Sequence, residues 1–62
     1  MTKVWFKPEE ASTYTGYARK TLDNWRSEGR GPAYSKVGAA VRYHVADLDK
    51  FLMDARVLTD GR

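Results

Sequence analysis

Basic side chains that could bind phosphate groups are concentrated in the middle of this sequence. Residues 16–44 contain six lysines and arginines against two acidic residues, whereas the net charge of the whole chain is only +3. The six cations are Arg19, Lys20, Arg26, Arg30, Lys36 and Arg42. Such a localised basic zone is typical of a protein with a polyanionic partner. On charge alone, a solvated basic surface without a partner is an equal alternative.

Residue types needed for enzymatic chemistry are scarce. The chain has no cysteine and one histidine, His44, which excludes a disulfide framework, a thiolate zinc site, a cysteine nucleophile and a histidine-rich metal site. No carboxylate pair accompanies an activated nucleophile, and no glycine-rich phosphate loop follows a strand. We therefore expect no enzymatic activity and no metal or other cofactor.

The length of 62 residues predicts one small domain. A hydrophobic content of 42% indicates a folded rather than a disordered chain. No apolar run approaches the roughly 18 residues of a membrane span, and the N-terminus lacks the apolar segment of a secretory signal. We therefore expect a cytoplasmic protein with no membrane partner.

Two short helices separated by a tight glycine turn are predicted in the first half of the chain. Pro8 suits the first position of a helix over residues 8–15, and the glycine that follows offers a left-handed stop. A second helix is predicted over residues 19–28, because Leu22 and Trp25 lie three residues apart and define an inward face. The outer face then carries Lys20, Asp23, Asn24 and Ser27.

The second half of the chain predicts a β-hairpin followed by a third helix. Two runs rich in β-branched and aromatic residues, 33–37 and 41–43, are joined by a glycine-containing link at residues 38–40. An apolar stripe at i, i+3, i+4 and i+7 then predicts a helix from residue 45 or 46 to residue 55 or 56. The stripe consists of Leu48, Phe51, Leu52 and Ala55.

The order of these elements predicts a winged helix-turn-helix fold, mainly α with a small β-hairpin wing (α-α-β-β-α). The domain spans residues 1–56, and residues 57–62 are expected to form a flexible tail. In such a fold the second helix can enter the major groove of B-DNA, while the hairpin can lie along the backbone. The residues expected to contact double-stranded DNA are Arg19, Lys20, Asp23, Asn24, Arg26, Lys36 and Arg42.

Individual side chains have specific expected roles and specific alternatives. Arg19 and Lys20 open the second helix, where phosphates bind, with a solvated face as the alternative. Asn24 can pair with adenine through two hydrogen bonds. Asp23 repels phosphate unless it accepts from cytosine N4, and pairing with Lys20 or Arg19 within the helix is an equal alternative. His44 is expected to cap the third helix rather than contact a phosphate.

Aromatic side chains are expected mainly in the core. Trp25 shares the inward face of Leu22, so we expect it to pack inside rather than stack on a base. Trp5 is expected to pack near the N-terminus, with a partner surface as the alternative. Tyr17 lies in the turn and is a lesser candidate for a phosphate contact. The edge of the core is expected to include Tyr14, Tyr34 and Tyr43.

Most of the chain resembles a known group of small DNA-binding proteins. Residues 6–26 read FKPEEASTYTGYARKTLDNWR, which is similar to the opening of winged helix-turn-helix proteins of the MerR and excisionase type. The resemblance continues in the same order and spacing through GRGP at 29–32, VG at 37–38, VRY at 41–43 and DLDKFL at 47–52. It covers about residues 5–56, and its pieces together are specific for the fold and for DNA binding.

Several positions depart from the pattern of that group. Tyr17 stands where Val or Ile is usual, and Ala18 replaces a capping Ser, whose loss could cost about 1 kcal/mol. Asp23 stands where Arg or Tyr is frequent. Ala39 and Ala40 replace an Arg-rich wing tip, which argues against deep insertion of the tip into the minor groove.

The resemblance implies a phage or mobile-element excisionase, a recombination directionality factor with no catalytic activity of its own. Such proteins bind repeated sites beside an attachment site, bend the DNA cooperatively and direct a tyrosine- or serine-type integrase towards excision. We expect a monomer in solution that self-associates on DNA. A small transcriptional regulator of the same fold is the alternative. A third hypothesis is a protein-interaction module that uses the fold without DNA, which the alanine wing tip and Trp5 suggest.

Overall fold

A computed structural model of the protein describes residues 2–57, which form three helices and a three-stranded sheet. The elements, in order, are β1 (Trp5–Phe6), α1 (Pro8–Thr15), α2 (Arg19–Ser27), β2 (Ser35–Val37), β3 (Ala40–His44) and α3 (Val45–Asp54). The winged helix-turn-helix fold expected from the sequence is thereby confirmed. The helices match the predicted ones with small differences at their ends, where assignments commonly vary.

The tail expected over residues 57–62 follows α3. Val57 is exposed and lies outside any helix or strand, whereas residues 58–62 of that tail fall outside the described residues. None of the helices within residues 2–57 is long and apolar enough to cross a membrane.

Helix α1 begins where the sequence predicts, and its first turn is well supported. Pro8 occupies the first helical position, where its missing N–H costs nothing. The Lys7 backbone N–H donates a hydrogen bond of 2.8 Å to Glu10 Oε1, which closes one half of a capping box. The other carboxylate oxygen of Glu10 pairs with the Lys3 ammonium group. The helix ends at Gly16.

The sheet is antiparallel, with β3 in the centre and the strand order β1-β3-β2. Strand β1 pairs with the end of β3, with Phe6 opposite Tyr43. This strand was absent from the predicted order α-α-β-β-α, because two residues are too few to show the alternation that marks a strand. Its pairing adds an N-terminal strand to the predicted hairpin without changing the fold class.

The hairpin differs from its prediction at the turn. Strand β2 begins at Ser35 rather than at residue 33, and β3 spans residues 40–44 rather than 41–43. Val37 lies opposite Ala40, so the turn has two residues, Gly38 and Ala39, instead of the three expected. Two-residue turns match the right-handed twist of paired strands and are the commonest hairpin connection.

The buried core contains one side chain from each of five elements. These side chains are no more than 8% exposed and come from β1, α1, α2, β3 and α3 in that order. They are Phe6, Ala11, Leu22, Tyr43 and Leu48. Strand β2 contributes none, since all three of its residues are exposed. The hairpin therefore depends on β3 for its attachment to the rest of the domain.

A second aromatic cluster extends the core beside α3. The ring of Trp25 lies 4.9 Å from that of Tyr17 and 5.4 Å from that of Phe51, measured between centroids. The inward orientation expected for Trp25 is confirmed, although the side chain is only partly buried. Tyr17 packs against the core in the same way.

The remaining aromatic side chains lie nearer the surface. Tyr14 is exposed and donates a hydrogen bond to the Asp49 carboxylate, which links α1 to α3 and raises the pKa of the phenol. Trp5 is 47% exposed and stands edge-on against His44 at 4.8 Å. His44 Nδ1 accepts a hydrogen bond of 3.0 Å from the Ala46 N–H, and its predicted role as the cap of α3 is confirmed.

Replacing Gly31 with Ala should destabilise the domain more than the same change at Gly29. Both glycines have a positive φ, of +90° and +76°, which costs an alanine about 1–2 kcal/mol. A Cβ at Gly31 would also lie 3.0 Å from Trp25 Cβ, whereas one at Gly29 would meet nothing within 4 Å. Urea denaturation should show an additional loss of about 1–3 kcal/mol for Gly31→Ala. Equal losses would contradict the close packing against Trp25.

Stability should depend on pH through Glu10. The ion pair with Lys3 and the hydrogen bond from the Lys7 N–H lower the pKa of Glu10 from its ordinary 4.5. Because the folded state favours the charged form, this contribution is full above 4.5 and is lost as the pH falls through the lowered pKa. The difference in unfolding free energy between wild type and Glu10→Gln should therefore shrink in acid. A difference that stays constant from neutral pH to pH ~3 would contradict this assignment.

Candidate nucleic-acid interface

The turn between α1 and α2 sets the position of the second helix. Ser12 Oγ donates a hydrogen bond of 2.6 Å to the Tyr17 carbonyl, and the Tyr17 N–H donates one of 3.3 Å to Thr15 Oγ1. Ala18, at the N-cap of α2, offers no side-chain acceptor to the first-turn N–H groups. Helix α2 is thus held against α1, while its N-terminal amides have no side-chain cap.

Two of the predicted DNA contacts, Lys20 and Asn24, lie on the outer face of α2. Lys20 and Asn24 are exposed and lie one turn apart, so they project from the same side of the helix. Within residues 2–57, neither side chain forms an ion pair or a side-chain hydrogen bond. A major groove about 12 Å wide admits one helix, and an exposed lysine and asparagine are side-chain types that can contact phosphates and base edges.

Arg19 is engaged with two carboxylates although it lies at the start of the same helix. Its Nη1 donates a hydrogen bond of 2.9 Å to Glu9 Oε1 on α1, and its Nε lies 3.5 Å from Asp23 Oδ2. Both contacts are solvent-exposed, so each contributes little to stability and can exchange for a phosphate contact. Asp23 pairs with Arg19, as one alternative from the sequence had it, rather than with Lys20.

Arg26 is more enclosed than Arg19. Its side chain is 20% exposed, against 49% for Arg19. Its Nη1 donates a hydrogen bond of 3.0 Å to Tyr43 Oη, and its Nη2 lies 3.0 Å from Asp23 Oδ1. That oxygen is shielded from solvent and accepts no hydrogen bond, so the Asp23 contact is an ion pair only. The guanidinium carbon of Arg26 lies 5.7 Å from the centroid of the Tyr34 ring.

These contacts also affect the pKa of Arg26. Burial opposes the charged guanidinium, but the hydrogen bond to Tyr43 and the Asp23 carboxylate outweigh it and raise the pKa above its ordinary value. Arg26 is a cation, as arginine always is in proteins, and its Nη1 and Nη2 face Tyr43 and Asp23.

The two cations of the wing lie on opposite faces of the hairpin. Lys36 pairs with Val41, which packs against the core, whereas Arg42 pairs with Ser35 on the other face. Directly opposed residues of an antiparallel pair project to the same side of a sheet. Lys36 is exposed, while Arg42 is half-buried and donates a hydrogen bond of 2.7 Å to the Val41 carbonyl.

The structure thus divides the seven predicted site residues into groups. Lys20 and Asn24 share one open face, and the two wing cations are separated by the plane of the hairpin. A polar chain joins the other three predicted residues to side chains that sequence reasoning missed. This chain runs Glu9–Arg19–Asp23–Arg26–Tyr43 and links α1, α2 and β3. Its two outer links join residues 10 and 17 positions apart, a separation that no local sequence pattern reveals.

A cleft of about 180 Å³ lies between α3 and the loop that precedes β2. Phe51 contributes to its apolar lining, and the carboxylates of Asp47 and Asp54 stand at its wall. Lys50 also lines the cleft but is paired with Asp54, so the net charge of the lining is negative and disfavours phosphate.

Comparison with known protein families matches residues 5–56 to the family described as "Helix-turn-helix domain". No curated protein was found to match the chain. The matched range runs from β1 to just beyond α3 and so includes every helix and strand described above. Membership of such a family indicates sequence-specific DNA binding, in agreement with the open Lys20 and Asn24 face. This chain belongs to the helix-turn-helix domain family.

Proposed function

We propose that this protein is an excisionase, a sequence-specific architectural factor that binds repeated sites in double-stranded DNA and directs an integrase towards excision. The observation that carries the DNA-binding part is the open face of α2. Within residues 2–57, neither Lys20 nor Asn24 has a side-chain hydrogen bond or ion pair, and the helix that carries them packs against α1. The excisionase part is supported by the resemblance of residues 6–26 to proteins of the MerR and excisionase type.

In this proposal the side chains divide the work of recognition. Lys20 and Arg19 neutralise phosphates near the start of α2, where the uncapped backbone amides add to the attraction for anions. Asn24, one turn further along, reads a base edge, with adenine as its preferred partner. Lys36 and Arg42 contact the backbone from the two faces of the wing. The short turn at Gly38 and Ala39 carries no cation, so the wing tip does not anchor in the minor groove.

The same proposal includes the partners and the setting of the protein. A single domain with four to six phosphate contacts binds one site weakly, so neighbouring copies on repeated sites assist one another and bend the DNA between them. The protein is then a monomer in solution and self-associates on DNA in the cytoplasm of a bacterial host. A tyrosine- or serine-type integrase is its protein partner.

A small transcriptional regulator would use the same DNA-binding face. An excision assay separates the two functions: purified protein added to an integrase and its attachment-site substrate should increase the excised product. A protein that binds the site and alters transcription from a neighbouring promoter, without effect on excision, would be a regulator instead.

DNA binding should be weak on one site, cooperative on direct repeats and strongly dependent on salt. Target duplexes can be selected from a random library and then titrated by fluorescence anisotropy at several salt concentrations. The logarithm of the binding constant should fall with the logarithm of salt with a slope of about −4 to −5 per monomer. Tight, salt-insensitive binding by one copy would contradict the proposal. Absence of binding at low salt would favour a protein-interaction module.

Substitutions on the outer face of α2 should separate base readout from phosphate contact. Asn24→Ala should weaken binding to the selected site by about 1–3 kcal/mol and leave binding to unrelated DNA nearly unchanged. Lys20→Gln should weaken binding to both and reduce the salt slope by about one. Lys50→Gln is the matched control, because Lys50 lies on α3, paired with Asp54. Equal effects of the Lys20 and Lys50 changes would contradict the assignment of the interface to α2.

A further inference from the structure

Arg26 joins α2, the helix that would enter the groove, to β3, the wing strand at the centre of the sheet. It lies in the last turn of α2, and its Nη1 donates a hydrogen bond of 3.0 Å to the hydroxyl of Tyr43 on β3. The Tyr43 side chain is 1% exposed and belongs to the buried core. The bond therefore ends on a group that cannot move without disturbing that core.

The other contacts of Arg26 hold the guanidinium in the same orientation. Asp23 Oδ1 lies 3.0 Å from Nη2, and the Tyr34 ring lies 5.7 Å from the guanidinium carbon. Asp23 is one helical turn before Arg26 and also faces Arg19, so the carboxylate lies between two cations. Tyr43 and Asp23 thus face the two terminal nitrogens of a side chain that is 20% exposed, whereas Lys20 is exposed and has no such partners within residues 2–57.

We propose that Arg26 is a positioning residue that sets the angle between α2 and the wing, rather than a phosphate contact. This inference rests on the proposed DNA binding and refines it. The bond to Tyr43 keeps the Lys20–Asn24 face and the wing in the relative orientation that one duplex can engage at the same time. Binding by both elements then needs no rearrangement of the wing, which would otherwise lower the affinity.

The geometry of the pair requires an arginine. The planar guanidinium presents Nη1 to Tyr43 and Nη2 to Asp23 together, which a single ammonium group on a shorter stem cannot reproduce. Tyr43 in turn supplies its hydroxyl as the acceptor while its ring fills the core. A phenylalanine at position 43 would keep the ring and lose only that acceptor.

The test compares wild type with Tyr43→Phe, Arg26→Lys and Lys20→Gln on the selected duplex over a range of salt. Tyr43→Phe leaves the charge unchanged, and circular dichroism checks that the domain remains folded. We expect Tyr43→Phe to weaken DNA binding about three- to tenfold with an unchanged salt slope. Arg26→Lys should weaken binding to a similar degree despite retaining its charge. Lys20→Gln, as a phosphate-contact control, should reduce the slope by about one.

Two outcomes would overturn the proposal. If Arg26→Lys binds as wild type while Arg26→Gln reduces the salt slope by about one, Arg26 contacts a phosphate. If the double variant Arg26→Gln with Tyr43→Phe shows the sum of the two single effects, the pair does not act as a unit.

A measurement without DNA separates this inference from the proposed function. Residual dipolar couplings of the free domain report the orientation of β3 relative to α2, and Tyr43→Phe should change that orientation or broaden its distribution. An unchanged orientation would overturn the positioning role even if the wild-type protein binds DNA. If Tyr43→Phe changes the orientation but the wild-type protein binds no duplex, the positioning role of the Arg26–Tyr43 pair stands and the proposed DNA-binding function is wrong.

Discussion

The arrangement of the proposed DNA interface depends on the buried side chain of Tyr43. Its ring lies among the side chains that α1, α2 and α3 contribute to the core, and its backbone pairs with Phe6 of β1. Its hydroxyl accepts the hydrogen bond from Arg26. Strand β2 has no buried residue of its own, so the whole wing is attached to the domain through β3. A core of five side chains leaves little redundancy, and the loss of one large buried side chain would remove a substantial part of the stability.

The polar chain from Glu9 to Tyr43 explains why an acidic residue is tolerated on a helix that is proposed to contact DNA. Asp23 would repel phosphates if it were free, but it lies between Arg19 and Arg26 and its charge is balanced within the protein. The chain begins at Glu9 on α1, so the same contacts that neutralise Asp23 also connect the two helices of the motif. The exposed links are individually weak, and the links at Arg26 are the ones partly enclosed by the protein.

Positions that depart from the resembled sequence pattern have clear structural surroundings in this chain. The ring of Tyr17 packs on Trp25 and reaches towards Phe51, whose ring centroid lies 6.1 Å from that of Tyr17. Ala18 leaves the start of α2 without a side-chain cap. At the wing, the short turn consists of Gly38 and Ala39, and the basic residues Lys36 and Arg42 lie along the strands rather than at the tip.

The sequence alone determined the helices, the hairpin and the inward face of α2, because Pro8, the glycine stops and the apolar spacing are local signals that tertiary contacts did not override. It also placed Lys20 and Asn24 on the outer face, which follows from helical periodicity. Only the tertiary structure decided the partners of Arg19 and Arg26, since Glu9 and Tyr43 lie on other elements. The tertiary structure also decided the register of the two wing strands. A three-residue link would pair Lys36 with Arg42, whereas the observed two-residue turn pairs Lys36 with Val41. One residue of register moves a side chain to the opposite face, because successive side chains of a strand alternate between faces.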